Sequence, residues 1–324
     1  MSIADLLSRT IGSESGVLRP WLDAALVSPL DGFVRQPGKR FRGRLVQIAW
    51  DLAMPPGSSR VLPPELPQVL ELVHAGSLIV DDIEDGSSSR RGAPTLHSSH
   101  GVPLALNAGN ALYFLPIVGL PAIGLSADAE LAIHRELART MSRCHAGQAL
   151  DIYATLDRVP VDEVPELVES IAGLKTGSLM SAAARLGAIA AGAPSAVIEA
   201  LGAFGCELGI CLQLLDDLAN LSSQSDPQKR LEDLRARRIT WVWSWLARHR
   251  PREQVLDLRR RILEGNGTVE PTAAEIVAML GDGPRLEVRD RLHTASLKLA
   301  TLLGEHPTFE VLFAEVRRLE ASYG

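Results

Sequence analysis

Glu71 to Arg91 reads ELVHAGSLIVDDIEDGSSSRR, with four acids in the five residues from Asp81 to Asp85 at the end of an apolar helical pattern. Carried as a helix through Asp85, the stretch puts His74, Ser77, Leu78, Asp81, Asp82 and Asp85 at the i, i+3, i+4 and i+7 spacings that share one face. Leu70, Leu72, Val73, Leu78, Ile79 and Val80 make the rest too apolar for a solvated surface helix, so the carboxylates are expected to look inward. Ionised carboxylates in that position are costly unless a cation joins them. Oxygens at i and i+4 lie about 6 Å apart along the axis and can jointly hold Mg2+ that keeps some of its water. Taken alone, the pentapeptide fits a solvated acidic helix end equally well.

A second acidic cluster lies in Glu207 to Leu221, where Gln213, Asp216, Asp217 and Asn220 share one stripe of a segment that is otherwise apolar nearly all round. Two unpaired buried carboxylates would destabilise such a helix by several kcal/mol, so a cation in front of them is the economical explanation. Cationic groups come from four places. Lys39, Arg40 and Arg42 crowd a helix start after the Pro37-Gly38 turn, as a solvated basic face or as an anion site that also uses the helix N-terminus. Arg90 and Arg91 follow the first acids and could neutralise them or reach phosphates held by the same metals. Lys175-Thr176-Gly177 interrupts the apolar segment Val168 to Ala191, either as a snorkelling Lys at a bend or as a local break that points a cation and a hydroxyl into a cavity. The basic run Lys229 to Arg238 supplies the fourth.

Together these groups describe a site for a multiply charged anion and divalent metals. Unit charges 4 Å apart repel by about 4 kcal/mol at an effective dielectric of 20. A divalent cation reverses that sign and makes a diphosphate a better leaving group.

The elements that must position these groups read as helices throughout. A helix is expected after Pro37-Gly38, carrying Leu45 to Leu52, then a Pro-rich loop from Pro55 to Pro67, and a loop from Pro94 to Pro103. A helix opening near Leu104 carries Asn107, Asn110, Tyr113 and Phe114, and another over Ala127 to Ile152 carries His145, Gln148 and Asp151. Leu156 to Pro165 reads as a loop; Trp241, Trp243 and Trp245 read as core, and amphipathic helices follow to the end. With no strand-like alternation, no solenoid period and no clear linker, the chain is read as all-α and as a single domain over residues 1–324.

Composition agrees with that reading. Hydrophobic residues are 46% and charged residues 22%, values of a globular rather than a disordered chain. The net charge of −6 argues against nucleic acid as partner but leaves room for a phosphorylated substrate, which needs only local cations. Cys144, Cys206 and Cys211 lack zinc-ligand spacing and read as reduced core thiols of a cytoplasmic protein. No secretory signal is expected in the first 16 residues, and the longest apolar run, Ala111 to Leu125, is 15 residues with two prolines, too short to span a membrane.

Asp81 to Asp85 as DDxxD, Gly38-Lys39-Arg40-Phe41-Arg42 as GKRxR, Arg90-Arg91-Gly92, Lys175-Thr176-Gly177, and Gln213 followed by Asp216-Asp217 stand in one order. In these motifs the chain resembles the trans-isoprenyl diphosphate synthases, the polyprenyl synthetase family, over nearly its whole length. The resemblance implies an all-α bundle around a deep cavity, three Mg2+ ions and a homodimer. By it, Asp81, Asp82, Asp85, Asp216, Asp217 and Asn220 hold the metals or their waters. Arg90, Lys175, Thr176 and Gln213 contact an allylic diphosphate, while Lys39, Arg42, His74 and Arg91 bind isopentenyl diphosphate. Arg238 stands where the family usually has a Lys, which keeps the charge and changes the reach.

Ending the second motif in Asn220 resembles the geranylgeranyl diphosphate synthases of fungi and animals. Gly76 and Ser77, about one turn below Asp81, are small enough to let a prenyl tail pass, and Tyr113 and Phe114 are expected to floor the cavity at C20. Two rival readings are a terpene cyclase on the same scaffold and a noncatalytic partner subunit. The cations of the isopentenyl diphosphate site weigh against the first, and the intact acids against the second.

Overall fold

The computed structural model describes residues 2–11, 16–36, 38, 40–55, 57–221, 230–265 and 268–323. The expected all-α architecture is found, with one two-residue hairpin besides. Two compact units emerge, Met1–Glu136 with Leu186–Ala193, and Leu137–Arg185 with Pro194–Gly324.

The first unit contains α1 (Ile3–Ile11), α2 (Leu18–Leu22), α3 (Ser28–Val34), α4 (Phe41–Ala53), α5 (Leu66–Glu84), α6 (Leu96–His100) and α7 (Val102–Val118). Its core gathers Leu6, Leu30, Leu72, Ile79, Ala108 and Leu112. The α5 helix packs along α7, and two glycines set how closely. A Cβ added to Gly76 would stand 2.7 Å from the Gly109 carbonyl oxygen, and one on Gly109 would stand 3.1 Å from Val80. The Gly76 contact is too short for any side chain and the Gly109 contact is tight, so the two glycines let the helix backbones come together. That packing role stands beside the chain-length role expected of Gly76.

Between α5 and α6 the chain makes the hairpin, β1 (Ser89–Arg90) against β2 (Ala93–Pro94), with Arg90 opposite Ala93. Its two-residue turn is Arg91-Gly92, with φ of 54° and 79°, the positive pair that a type I′ turn requires. The stretch from Pro94 to Pro103, expected as a plain loop, contains α6.

A long helix, α8 (Ala127–Tyr153), is followed by α9 (Val164–Ala172), α10 (Ser178–Ala191), α11 (Ser195–Asn220), α12 (Glu232–Arg235) and α13 (Trp241–His249). Helices α14 (Arg252–Glu264), α15 (Glu270–Leu280), α16 (Gly283–Leu303) and α17 (Thr308–Ala321) complete the chain. In the second unit α11 packs on α16 and α13 on α9. Trp241, Trp243 and Trp245 are buried, as expected of core residues. Cys144, Cys206 and Cys211 are in no disulfide, and burial pushes the thiols of Cys206 and Cys211 up.

One helix corrects the search for long apolar segments. The α11 helix reaches a mean hydropathy of 1.6 over its most apolar window, long and apolar enough to cross a membrane, and half of that window is buried. Glu199 and Glu207 interrupt the run, so a search for unbroken apolar residues passes over it.

Candidate functional site

The first unit brings most of its expected site residues to the end of α5. The helix runs through Glu84, and Asp85 caps it by donating its N–H to the Asp81 carbonyl at 2.9 Å. The three aspartates are not equivalent. Asp82 is 1% exposed and accepts the Arg90 Nε–H on both oxygens, at 2.7 and 2.8 Å. Asp81 is a quarter exposed and touches Arg90 Nη2 at the longer distance of 3.3 Å. Of the two roles open to Arg90, pairing with the acids is the one seen. The Asp81 and Asp85 carboxylates are partly exposed.

His74, two turns back, shows what surrounds it through its basicity. Burial, then the guanidinium groups of Arg42, Arg91 and Arg90, hold its pKa well below 6.5, so the imidazole is neutral at pH 7. Three cations therefore converge on one neutral ring. The Arg91 guanidinium also lies against Gly38, where an added Cβ would be 2.8 Å from Nη1. The hairpin turn thereby brings Arg91 to the Gly38 segment. Ser77 donates its hydroxyl to the His74 carbonyl at 2.8 Å. Lys39 lies outside the described residues.

Glu71 is a residue that sequence reasoning passed over. Its Oε1 accepts the Gly43 N–H at 2.8 Å, in the first turn of α4. That carboxylate takes one N–H of the helix N-terminus expected to help bind an anion.

The α7 residues part company. Tyr113 is buried, with Cε1 3.5 Å from where a Gly76 Cβ would stand, about one turn and a half below Asp81. Phe114 is 65% exposed and shares an outer stripe with Leu106 and Val118, so within this unit it floors nothing. Phe114 follows Tyr113 by one residue, about 100° round α7, which takes it off the face that α5 covers.

In the second unit the expected break at Lys175 is a π-turn, Gly173–Gly177, between α9 and α10. Such turns insert one residue into the helical register and often mark functional sites. Lys175 Nζ donates to Asp151 Oδ2 at 2.8 Å, and Thr176 donates its hydroxyl to Gln213 Oε1 at 2.8 Å. Gln213 Nε2 donates to Asp217 Oδ1 at 3.0 Å, and the Trp241 backbone N–H donates to Asp217 Oδ2 at 2.8 Å. The bonds from Thr176 through Gln213 and Asp217 to Trp241 tie the π-turn, α11 and α13 into one polar line. Asp216, by contrast, is exposed. Asn220 Oδ1 accepts the Asp233 N–H at 3.4 Å, so the residue that departs from the usual Asp anchors α12.

Asp233 is the second residue that sequence reasoning missed. It lies five places before Arg238, which approaches its Oδ1 at 3.9 Å. Burial raises the Asp233 carboxyl to about 7; Arg238 opposes the rise, while Asp151 and Asp216 add to it. Asp217 is pushed well above the ordinary carboxylate range by burial and then by Asp233, against the hydrogen bonds from Trp241 and Gln213. Carboxylates crowded until they resist ionising are a donor set that suits a divalent cation. Among the described residues no three acids, histidines or cysteines converge as a preformed cage. Mg2+ is commonly bound through one or two carboxylates together with substrate phosphates, so the residues present fit it.

Comparison with known proteins bears on this chemistry. The family model described as Polyprenyl synthetase matches residues 23–279. The chain is 35% identical over 220 residues to a (2E,6E)-farnesyl diphosphate synthase of Mycobacterium tuberculosis, an alignment covering 65% of this chain and 57% of that protein. It is 29% identical over 283 residues to a geranylgeranyl pyrophosphate synthase of Hypoxylon pulicicidum, covering 81% of this chain and 69% of that one. A crystal structure of geranylgeranyl pyrophosphate synthase from Corynebacterium glutamicum, complexed with isoprenyl diphosphate and magnesium, superposes with a TM-score of 0.74 at 28% identity, over 94% of this chain and 90% of that one. The chain thus spans less than two thirds of the mycobacterial protein's length.

Proposed function

The chain belongs to the polyprenyl synthetase family, and from that premise we propose that it is a prenyltransferase joining isopentenyl diphosphate to an allylic diphosphate. The observation that carries the reading is the convergence of Arg42, Arg91 and Arg90 on a neutral His74 beside an Asp-rich helix end. Guanidinium forks suit phosphate oxygens, and a neutral imidazole can add a hydrogen bond without adding repulsion among the cations.

Arg42, Arg91 and His74 bind the isopentenyl diphosphate in this reading, with Lys39 as a further cation. Asp81 and Asp85 in the first unit, and Asp216 and Asp217 in the second, would hold magnesium directly or through water; Asp82 serves them by holding Arg90. When bound, the metal supplies positive charge that stabilises the departing diphosphate. Lys175 and Thr176 hold the allylic diphosphate. The Lys175 ammonium has three protons and Asp151 takes one of them. The single Thr176 hydroxyl proton rests on Gln213, so contact with a phosphate oxygen requires it to swing away.

Incubation with Mg2+, isopentenyl diphosphate and each of dimethylallyl, geranyl and farnesyl diphosphate tests the proposal, with products identified by mass after dephosphorylation. A linear prenyl alcohol one unit longer than the primer is expected. A cyclic hydrocarbon formed without isopentenyl diphosphate would instead make the protein a cyclase.

Product length rests on Tyr113 alone once Phe114 is found exposed. The relatives named above include both farnesyl and geranylgeranyl synthases, and we infer a C20 product. Tyr113→Ala should then add one or more C5 units; an unchanged product would remove Tyr113 as the floor. We also infer a homodimer, because a second copy would cover the apolar stripe of Leu106, Phe114 and Val118. Sedimentation at the mass of a single chain would refute it.

A further inference from the structure

The π-turn at Gly173–Gly177 is held from outside its own helix. Ser178, which is 5% exposed, donates its hydroxyl back across the turn to the Gly173 carbonyl at 3.1 Å. Arg143 Nε donates to the Ser178 oxygen at 2.8 Å. An arginine can only donate, so the hydroxyl proton is committed to Gly173 and the chain of bonds has one direction. Beside it, the Cys144 thiol donates to the Lys175 carbonyl at 3.3 Å. Arg143 and Cys144 are neighbours on α8, which thus grips the carbonyls at the start and middle of the turn.

Packing leaves the turn little freedom on either side. A Cβ on Gly147 of α8 would stand 2.6 Å from the Lys175 backbone nitrogen, and one on Gly209 of α11 would stand 2.7 Å from the Thr176 carbonyl oxygen. The glycines let the widened turn fit, but they supply no bond that prefers it to an ordinary helical turn. The three side chains do. One residue of register rotates the downstream residues by about 100°, so relaxation to α geometry would redirect Lys175 and Thr176 relative to Asp151 and Gln213.

We propose that Arg143, Ser178 and Cys144 are positioning residues, which clamp the π-turn in the register that presents Lys175 and Thr176 to the allylic diphosphate. The proposal rests on the prenyltransferase reading, and it predicts a selective effect. Ser178→Ala should weaken binding of a non-ionisable geranyl thiolodiphosphate with Mg2+ by about tenfold, the scale of one lost hydrogen bond at a charged site, while isopentenyl diphosphate changes less than about twofold. Ser178→Thr, which keeps the hydroxyl, should bind as the wild type does. On a Lys175→Ala background, Ser178→Ala should have a clearly smaller effect than on the wild type, because part of its effect passes through Lys175 and only the part carried by Thr176 remains.

Calorimetric titration of the whole chain with each ligand reads all of this. Equal weakening of both ligands, an undiminished effect on the Lys175→Ala background, or no effect with the wild type binding and turning over, each overturns the clamp while leaving the prenyltransferase reading intact. Failure of the wild type to bind either diphosphate overturns the reading itself and the clamp with it. Cys144→Ala gives an independent variant should Ser178→Ala not fold; it should weaken the thiolodiphosphate selectively, and wild-type affinity for that ligand overturns the proposal.

Discussion

Asp81→Ala is expected to lower turnover by about a thousandfold or more with little loss of stability, whereas Asp82→Ala, one residue along, should cost the fold itself. A thousandfold is about 4 kcal/mol of transition-state stabilisation, a reasonable share for a carboxylate that holds a metal on the leaving group. Asp81 is partly exposed and only loosely held by Arg90, so its removal relieves like-charge crowding and leaves Arg90 on Asp82. Asp82 is buried and takes Arg90 on both oxygens. Removing one member of a buried pair costs about 3–5 kcal/mol, because the other charge is left without compensation. Steady-state turnover and urea midpoints of the two variants separate the roles. Near-normal turnover in Asp81→Ala would end the metal assignment, and equal midpoints would end the distinction between the two acids.

That distinction was not legible in DDIED, where the acids differ only in position. The shared helical face implies inward carboxylates, yet only Asp82 is buried while Asp81 and Asp85 are partly exposed, and which of them Arg90 takes depends on the hairpin that returns the chain. Two glycine-containing signals fared differently for the same reason. The break at Lys175-Thr176-Gly177 could be read because a Lys and a Thr contradict their apolar surroundings locally. The smallness of Gly76 was visible too, but whether the space beside it is empty or filled by the Gly109 carbonyl is set by α7, some thirty residues away. Glu71 escaped notice because its partner is a backbone N–H, which carries no signature in sequence. The order of helices needed only periodicity and turn residues. The exposed Phe114 needed the angular position of one residue on α7, which composition does not fix.

Asp233 escaped for a different reason and leads to the second large effect. It stands in a run of arginines, where an acid reads as a solvated partner, yet the fold covers it beside Asp217. Its carboxyl is raised to about 7 from an ordinary value of 3.8. A raised folded pKa means that the unfolded chain releases the proton first as pH rises, so stability is full below about 3.8 and is lost up to about 7. In the absence of divalent metal, the thermal midpoint is therefore expected to fall between pH 5 and pH 7.5, and Asp233→Asn should flatten that fall, with Asp217 retaining part of it. Mg2+ with inorganic pyrophosphate should raise the midpoint more at pH 7.5 than at pH 5, since bound cations favour the ionised carboxylates that the apo site resists. A midpoint that falls equally in the wild type and Asp233→Asn would mean that Asp233 ionises freely in the folded protein. The crowding that suits these carboxylates to a metal would then rest on Asp217 alone.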